Sequence, residues 1–344
     1  MKTPLTGLFP EEIAAMLGAK PYQGAQLFRW LHQKRIFDFD AMSDLPKALR
    51  ARLVEHFTAS QLTLETLRES ETTGTRKALL RFSDGDAVEC VLIRDRSRIT
   101  LCLSTQAGCP LKCAFCATGA AGYRRNLDTG EIVEQALWLL RDENLAGRTP
   151  NIVYMGMGEP FYNYEAVVKS IRLIMHPLGL HIGARKITVS TAGDIKGIER
   201  FAEENWQVRL SVSLHAANNT LRNRLVPLNR RYPLERLQAA LQCYQQRCGR
   251  QVTLEWVLLD GVNDSLRDAE ELAAFARGLD VSVNLIPWNP VPELPFTSSP
   301  PERCQAFQAT LQERGLTATI RREKGQDIEA ACGQLRGEAG AYVQ

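Results

Sequence analysis

The spacing of hydrophobic and polar positions divides the first part of the chain into two segments. In residues 1–60, apolar side chains recur twice at helical spacing. Residues 61–95 contain two strand-like runs that flank Asp84 and Gly85, a dipeptide typical of a hairpin turn. The pattern predicts a small helical domain followed by a short β-hairpin linker.

From residue 99 onward, short β-branched runs alternate with segments long enough for helices. Asp128 and Glu131 resemble a capping box in front of the clearest helical segment. Such alternation indicates βα units and a parallel sheet. We therefore predict an α/β fold with a partial (β/α)6 barrel over residues 96–300, and a doubly wound open sheet is the competing fold. The six runs are ITLCLS, NIVYMG, KITVST, VRLSVSL, VTLEWVLL and VSVNLI.

Residues 301–344 are predicted to form a last strand, TATIRR, and a glycine-rich C-terminal tail. Within the barrel, the run RLSVSLH places Ser211, Ser213 and His215 on one strand face and the apolar residues on the other. A strand buried in a parallel sheet normally has apolar residues on both faces. The polar face therefore indicates a strand that lines a pocket, and the same alternation puts Cys102 on the polar side of the first barrel strand.

Composition narrows the class of protein. The chain has 344 residues, of which 44% are hydrophobic and 24% charged. Its N-terminus lacks the pattern of a signal peptide, and no run reaches the roughly 18–20 apolar residues that span a bilayer. We expect a cytoplasmic protein without a membrane segment. Its nine cysteines are then expected to be reduced thiols or ligands rather than structural disulfides.

The net charge of +3 does not by itself indicate a nucleic-acid-binding protein. Arginine nevertheless occurs in clusters that flank the motifs described below, and its planar fork suits phosphate. These clusters favour an anionic polymer as substrate, although solvated surface charge is the simpler explanation for any one of them. They are Arg94, Arg96 and Arg98; Arg124 and Arg125; Arg222 and Arg224; Arg230 and Arg231; and Arg321, Arg322 and Lys324.

Three cysteines lie close together at Cys109, Cys113 and Cys116, after a predicted strand and before the capped helix. Three thiolates on one loop can bind a [4Fe–4S] cluster and leave one iron without a protein ligand. Zinc is the alternative, but it usually requires a fourth ligand and no second cysteine pair follows. Three buried free thiols are the other alternative.

The three-cysteine motif resembles that of the radical S-adenosylmethionine superfamily. The segments LCLSTQAGCPLKCAFCATG, YMGMGEP, VSTAG, SLHAANN, IPWNP and DIEAACGQL are similar to those of the RlmN/Cfr family of adenine methyltransferases that act on ribosomal RNA. The resemblance covers nearly the whole chain. It implies that the open iron binds S-adenosylmethionine and that an electron from the cluster generates a 5′-deoxyadenosyl radical.

Cofactor-binding residues are expected at the ends of the predicted strands. The glycines of YMGMGEP allow a ligand to approach the backbone, and Glu159 offers a carboxylate to an ammonium group. Hydroxyl and imidazole groups at strand ends are suited to hydrogen bonds with the same ligand. The resemblance adds an asparagine after IPW. The candidates are Gly158, Glu159, Ser190, Ser213, Leu214, His215 and Asn289.

The resemblance also assigns three catalytic residues. It implies that Cys332, in the glycine-flanked tail, is first methylated and then carries the methyl group to the adenine. Cys102 is implied to release the product by forming a transient disulfide with Cys332. Glu89 corresponds to the residue assigned as proton acceptor, whereas a solvated hairpin charge is the alternative.

The expected reaction is methylation of adenine C2 in 23S rRNA, with a tRNA adenine beside the anticodon as a further substrate. Two S-adenosylmethionine molecules per turnover, an electron donor such as flavodoxin or ferredoxin, and a monomeric enzyme are also implied. The closest alternative is C8 methylation of the same adenine. A radical enzyme acting on a small molecule and a non-catalytic RNA-binding protein with a structural metal are the others.

Overall fold

The computed structural model describes residues 2–96, 98–143, 145, 147–321 and 324–337. The helices are α1 (Pro10–Leu17), α2 (Pro21–Phe28), α3 (Lys47–His56), α4 (Ala117–Ala121), α5 (Thr129–Leu139), α6 (Tyr164–Met175), α7 (Ile195–Glu203), α8 (Asn219–Leu225), α9 (Leu234–Cys248), α10 (Leu266–Phe275) and α11 (Pro301–Glu313). The strands are β1 (Thr3–Pro4), β2 (Phe57–Thr58), β3 (Leu62–Glu69), β4 (Arg76–Phe82), β5 (Ala87–Asp95), β6 (Arg98–Cys102), β7 (Gln106–Gly108), β8 (Tyr123–Asn126), β9 (Asn151–Tyr154), β10 (Ile187–Thr191), β11 (Arg209–Ser213), β12 (Val252–Leu258), β13 (Val281–Pro287) and β14 (Thr317–Ile320).

A ten-stranded mixed sheet forms the centre of the molecule, in the order β14-β13-β12-β11-β10-β9-β6-β5-β4-β3. The seven strands from β14 to β6 are parallel and follow one another in chain order. A doubly wound sheet would reverse its strand order at a switch point, and the described strands contain no such reversal. The sheet remains open, with β14 and β3 as its edges, so the predicted partial barrel is confirmed.

Each of the six predicted β-branched runs forms a strand, and α5, α6, α7, α9, α10 and α11 connect successive strands. The capping box at the start of α5 is confirmed. Glu131 N donates to the Asp128 carboxylate and Asp128 N donates to the Glu131 carboxylate, each at 2.8 Å. No helix in the described part of the chain is long and apolar enough to cross a membrane.

Residues 61–95 differ from the two-stranded linker that the sequence predicts. The two runs around Gly85 pair as β4 and β5, but β3 adds a third antiparallel strand beside β4. β5 also pairs with β6, with Val91 opposite Cys102. The segment is therefore part of the barrel sheet and not a separate connection. Most of β3 is solvent-exposed, so its sequence lacks the apolar alternation that would have marked it.

The N-terminal helices are joined to the barrel by a buried carboxylate. Glu134 of α5 accepts hydrogen bonds from Thr6 Oγ1 at 2.5 Å, Ser60 Oγ at 2.7 Å and Gln61 N at 2.9 Å. Burial raises the pKa of Glu134 to about 7, although these hydrogen bonds lower it. The helices also share one hydrophobic core with the barrel, so they do not form an independently packed unit.

Candidate active site

A cavity lies at the carboxyl ends of the parallel strands, where barrel enzymes place their active sites. The cysteine loop after β7 and the C-terminal tail both contribute to its wall. Strand ends contribute Met155, Ser190, Ser213, Val257, Ile286 and Arg321, and the tail contributes Cys332 and Gly333. The polar strand face predicted from RLSVSLH therefore does line a pocket.

Cys109, Cys113 and Cys116 all line this cavity. Burial raises the pKa of Cys109 to about 12 and raises that of Cys113 well above its ordinary value, and neighbouring thiolates contribute to both shifts. Three thiolates are therefore stable together only beside a positive charge such as a metal centre.

No three His, Cys, Asp or Glu side chains among the described residues are placed to hold a single metal ion. The ligands of a four-iron cube bind separate corners and need not converge on one point. The three thiol donors thus fit a [4Fe–4S] cluster.

Arg222 lies beneath the cysteine loop and is fully buried. Its guanidinium donates to the carbonyl oxygens of Ala192 (2.7 Å), Leu214 (3.0 Å) and Ser213 (3.2 Å) and to Asn229 Oδ1 (2.9 Å). Burial lowers its pKa to about 10, while the Cys113 charge raises it. Arg222 therefore places a positive charge next to the thiolates, and the prediction that its cluster faces an anionic polymer is wrong for this residue.

Glu159 is buried at the cavity wall, in the turn after β9. Its carboxylate accepts from the N–H groups of Ala192 at 2.8 Å and Phe161 at 3.2 Å. Burial raises the pKa of Glu159 to about 7, and the Ala192 hydrogen bond lowers it. A Cβ atom on Gly158 would lie 2.7 Å from Gln106 Cβ, so only glycine fits there. The turn forms a close backbone cradle beside a carboxylate, which suits an ammonium group.

Ser190, Ser213 and His215 line the cavity as predicted, each at the end of a strand. Burial, followed by the charge of Arg222, lowers the pKa of His215 to about 3. Nδ1 of this neutral ring accepts from Val257 N at 2.9 Å, so Nε2 carries the proton and acts as a donor. Leu214 is different, since its side chain is fully buried in the hydrophobic core on the other strand face.

Cys332 is held in the cavity by two neighbours. Arg321 Nη1 lies 3.0 Å from Cys332 Sγ, and Asn289 Nδ2 donates to the Cys332 carbonyl oxygen at 3.2 Å. Asn289 also accepts from Gln326 Nε2 at 2.9 Å. Asn289 therefore contacts the tail, and it does not belong to the described wall of the cavity.

Cys102 is buried on β6 and does not belong to the described wall of the cavity. Burial, followed by the charge of Cys332, raises the pKa of Cys102 to about 12. The two sulfurs therefore lie within electrostatic reach of each other, and Cys102 remains a protonated thiol. No disulfide joins the described cysteines.

Glu89 is buried outside the cavity wall. It forms an ion pair of 2.9 Å with Lys77, so the alternative of a solvated hairpin charge is wrong. Glu255, which the sequence did not single out, does line the cavity and is bonded to Asn284 at 2.6 Å. Burial raises the pKa of Glu255 and the amide of Asn284 lowers it. The sequence did contain a signal for Glu255: it lies two residues after Thr253 on β12, which places both polar side chains on the same strand face.

The arginine clusters separate into structural and exposed members. Arg94 bonds Glu143 at 2.7 Å, and Arg125 bonds Glu131 at 2.8 Å. Arg322 lies outside the described residues. The exposed members are Arg96, Arg98, Arg124, Arg224, Arg230 and Arg231.

Comparison with known proteins identifies the family. The model of the radical SAM superfamily matches residues 103–276, and the model of the ribosomal RNA large subunit methyltransferase N-terminal domain matches residues 10–59. A crystal structure of a radical SAM methyltransferase from Sphaerobacter thermophilus is 48% identical. It superposes with a TM-score of 0.94 over 98% of this chain and 100% of that chain.

Two relatives described as probable dual-specificity RNA methyltransferase RlmN cover nearly the whole chain. The one from Heliobacterium modesticaldum is 47% identical over 98% of this chain and 90% of its own length. The one from Moorella thermoacetica is 48% identical over 96% of each. The chain therefore belongs to the RlmN family of radical-SAM RNA methyltransferases and is an S-adenosylmethionine-dependent enzyme.

Proposed function

We propose that this enzyme methylates C2 of an adenine in 23S rRNA and, as a second substrate, a tRNA adenine beside the anticodon. The observation that carries the proposal is the position of Cys332. It lines the same cavity as Cys109, Cys113 and Cys116 and lies against Arg321. A carrier thiol beside the cofactor site suits a two-stage methyl transfer, and the relatives named as RNA methyltransferases supply the substrate class.

The cavity residues have distinct binding roles in this proposal. Cys109, Cys113 and Cys116 hold a [4Fe–4S] cluster, which supplies the electron that cleaves S-adenosylmethionine. Glu159 accepts hydrogen bonds from the amino group of S-adenosylmethionine. His215, protonated on Nε2, donates a hydrogen bond to the same cofactor.

The two remaining cysteines act in sequence. Cys332 loses its proton and accepts the methyl group of one S-adenosylmethionine, which leaves as S-adenosylhomocysteine. A hydrogen atom is removed from that S-methyl group at the expense of a second S-adenosylmethionine, and the remaining methylene carbon bonds to the adenine. The bond between this carbon and the Cys332 sulfur then breaks, the base loses its ring proton and gains a proton on the new methyl group, and Cys332 forms a disulfide with Cys102. Of the two electrons that this oxidation releases, one leaves with the hydrogen atom and the other returns to the cluster, and a cellular reductant restores both thiols. The electrostatic coupling between the two sulfurs supports this pairing.

Exposed cations of the N-terminal helices bind RNA through its phosphate groups. These are Lys20, Arg29, Lys34 and Lys47, with the exposed ring of Tyr22 beside them in sequence. Replacing Lys20, Arg29 and Lys34 together by glutamine is expected to weaken RNA binding and leave cofactor binding intact. Deleting residues 1–60 is a poorer test, since it would strip Thr6 and Ser60 from buried Glu134.

The deciding experiment is anaerobic turnover of cluster-reconstituted enzyme with a 23S rRNA fragment and methyl-labelled S-adenosylmethionine, followed by nucleoside mass spectrometry. Labelled 2-methyladenosine is the expected product. Labelled 8-methyladenosine would instead indicate C8 methylation, and cofactor cleavage without labelled adenosine would indicate a different substrate. Turnover by Cys332→Ala would contradict the role of the carrier thiol.

The proposal includes a cytoplasmic, monomeric enzyme that takes single electrons from a flavodoxin or ferredoxin. A reducing compartment permits transient but not lasting disulfides. Gel filtration of the cluster-loaded enzyme and turnover with each purified donor test these points. A dimer, or turnover with neither donor, would contradict the corresponding part.

A further inference from the structure

A buried ion pair lies on the antiparallel part of the sheet, outside the active-site cavity. Lys77 Nζ and Glu89 Oε1 are 2.9 Å apart, and both side chains are less than a tenth exposed. The two residues are diagonal neighbours on one face of β4 and β5, since Lys77 pairs with Val91 and Leu79 pairs with Glu89. Burying two charges is costly, so the pair requires further partners.

Those further partners are backbone groups of the C-terminal tail. Lys77 Nζ donates to the carbonyl oxygen of Glu329 at 3.1 Å. Glu89 Oε2 accepts from the N–H groups of Arg336 at 2.5 Å and Gly337 at 3.3 Å. The pair therefore bonds the tail on both sides of Cys332, three residues before it and four residues after it.

Between these two points, the tail bonds to the helix that follows the cysteine loop. Ala117 N donates to the carbonyl oxygen of Gly333 at 2.8 Å, and Thr118 Oγ1 donates to that of Leu335 at 2.6 Å. The segment that carries Cys332 is thus bonded both to the Lys77–Glu89 pair and to the helix that follows the cysteine loop. Losing either set of bonds frees the segment at one side.

Both carboxylate oxygens of Glu89 are bonded in this arrangement. One is bound by Lys77 and the other by two backbone N–H groups, while the side chain stays outside the described cavity wall. The contacts of Glu89 therefore lead to the tail backbone.

We propose that Lys77 and Glu89 are positioning residues that fix Cys332 through the tail backbone. The inference rests on the proposed function, because it gives the tail its role as methyl carrier. Lys77 is then as important as Glu89 for methyl transfer, although neither side chain touches the reacting atoms.

The test compares Lys77→Met, Glu89→Gln and the double variant in cluster-reconstituted enzyme, with Lys77→Arg as the conservative variant. Amide hydrogen exchange of residues 325–337 and alkylation of Cys332 report on the tail. All three variants are expected to raise both rates by at least about tenfold, because local opening becomes easier when a buried anchor is lost. Lys77→Arg is expected to restore slow exchange.

The matched control is Glu65→Gln, which removes a partly exposed ion pair with Arg81 on the same strands. Its tail is expected to exchange at the wild-type rate. The double variant guards against misfolding, since it leaves no unpaired buried charge where a single variant does. Reductive cleavage of S-adenosylmethionine is expected to persist in all variants while RNA methylation falls.

Unchanged tail exchange in Lys77→Met would overturn the proposal. So would wild-type alkylation of Cys332 in the double variant, which lacks both charges of the buried pair. Failure of the proposed function is recognised separately, because either the wild-type enzyme would then form no labelled adenosine or Cys332→Ala would still methylate RNA, whatever the tail measurements give.

Discussion

Arg321 Nη1 lies 3.0 Å from the sulfur of Cys332, and both residues line the cavity that holds the three clustered cysteines. A guanidinium in this position stabilises the thiolate form of Cys332 over the thiol. The contact joins the end of the last barrel strand to the tail. It explains how a sulfur on an irregular segment is placed next to the cofactor site.

We expect Arg321→Met to slow methylation of Cys332 by about 10- to 100-fold, because a hydrogen bond to a charged group is worth about 1.5–3 kcal/mol. The measurement is the rate of S-methylcysteine formation in the tail peptide, followed by mass spectrometry. Arg314→Met is the control, since Arg314 is exposed and pairs with Glu270. Equal rates in the two variants would show that Arg321 does not activate the sulfur.

Arg222→Met is expected to destabilise the protein by about 2–5 kcal/mol, because several buried carbonyl groups lose their donor. Urea unfolding of the apoprotein measures the free energy. Arg224→Met, two residues away and exposed, provides the control and should change stability by no more than about 0.5 kcal/mol. We also expect Arg222→Met to retain less iron and sulfide after reconstitution, and full occupancy would argue against an electrostatic role at the cluster.

The barrel could be predicted from sequence because one face of each parallel strand is buried, so that short β-branched runs recur between helical segments. β3 was missed because most of its residues face solvent and leave no apolar period. The assignment of Leu214 to the cofactor site conflicts with strand alternation, which already placed its side chain on the apolar face. Ser213, Leu214 and His215 are adjacent in sequence, but only Ser213 and His215 face the cavity.

Other parts of the site depend on contacts that no local pattern encodes. The sequence alone suggests that Arg222 is a surface charge. Its position in α8, beneath two strand ends, makes it a buried donor instead. Lys77 likewise occupies a core-facing position that a hydrophobic residue would normally fill, and its tail partner is 252 residues away. The motifs identify the reacting cysteines, whereas the groups that hold them follow from the three-dimensional arrangement.

Gly158→Ala tests the backbone cradle beside Glu159. Gly158 has a φ of 103°, and an added Cβ would lie 2.9 Å from Gln106 N, so the turn must shift. We expect S-adenosylmethionine binding to weaken by at least about tenfold, because a small displacement of a binding loop is costly. Gly85→Ala separates strain from steric clash, since Gly85 has a similar φ of 92° in open space. Wild-type affinity in Gly158→Ala would refute the cradle.

Glu134 predicts a specific dependence of stability on pH. Its pKa is about 7 in the folded protein against 4.5 in the unfolded chain, with burial as the main cause. Between pH 4.5 and 7 the unfolded chain releases this proton while the folded protein keeps it, so the free energy of unfolding falls as pH rises. The loss is on the order of 3 kcal/mol, is absent below pH 4.5 and is complete above pH 7.

Other carboxylates titrate in the same range, so the contribution of Glu134 must be isolated by difference. Glu134→Gln keeps an acceptor but cannot ionise, and the stability of wild type relative to Glu134→Gln should decline over this window. Urea midpoints of the apoprotein at half-unit pH steps provide the measurement, and a constant difference would mean that Glu134 is ionised when folded.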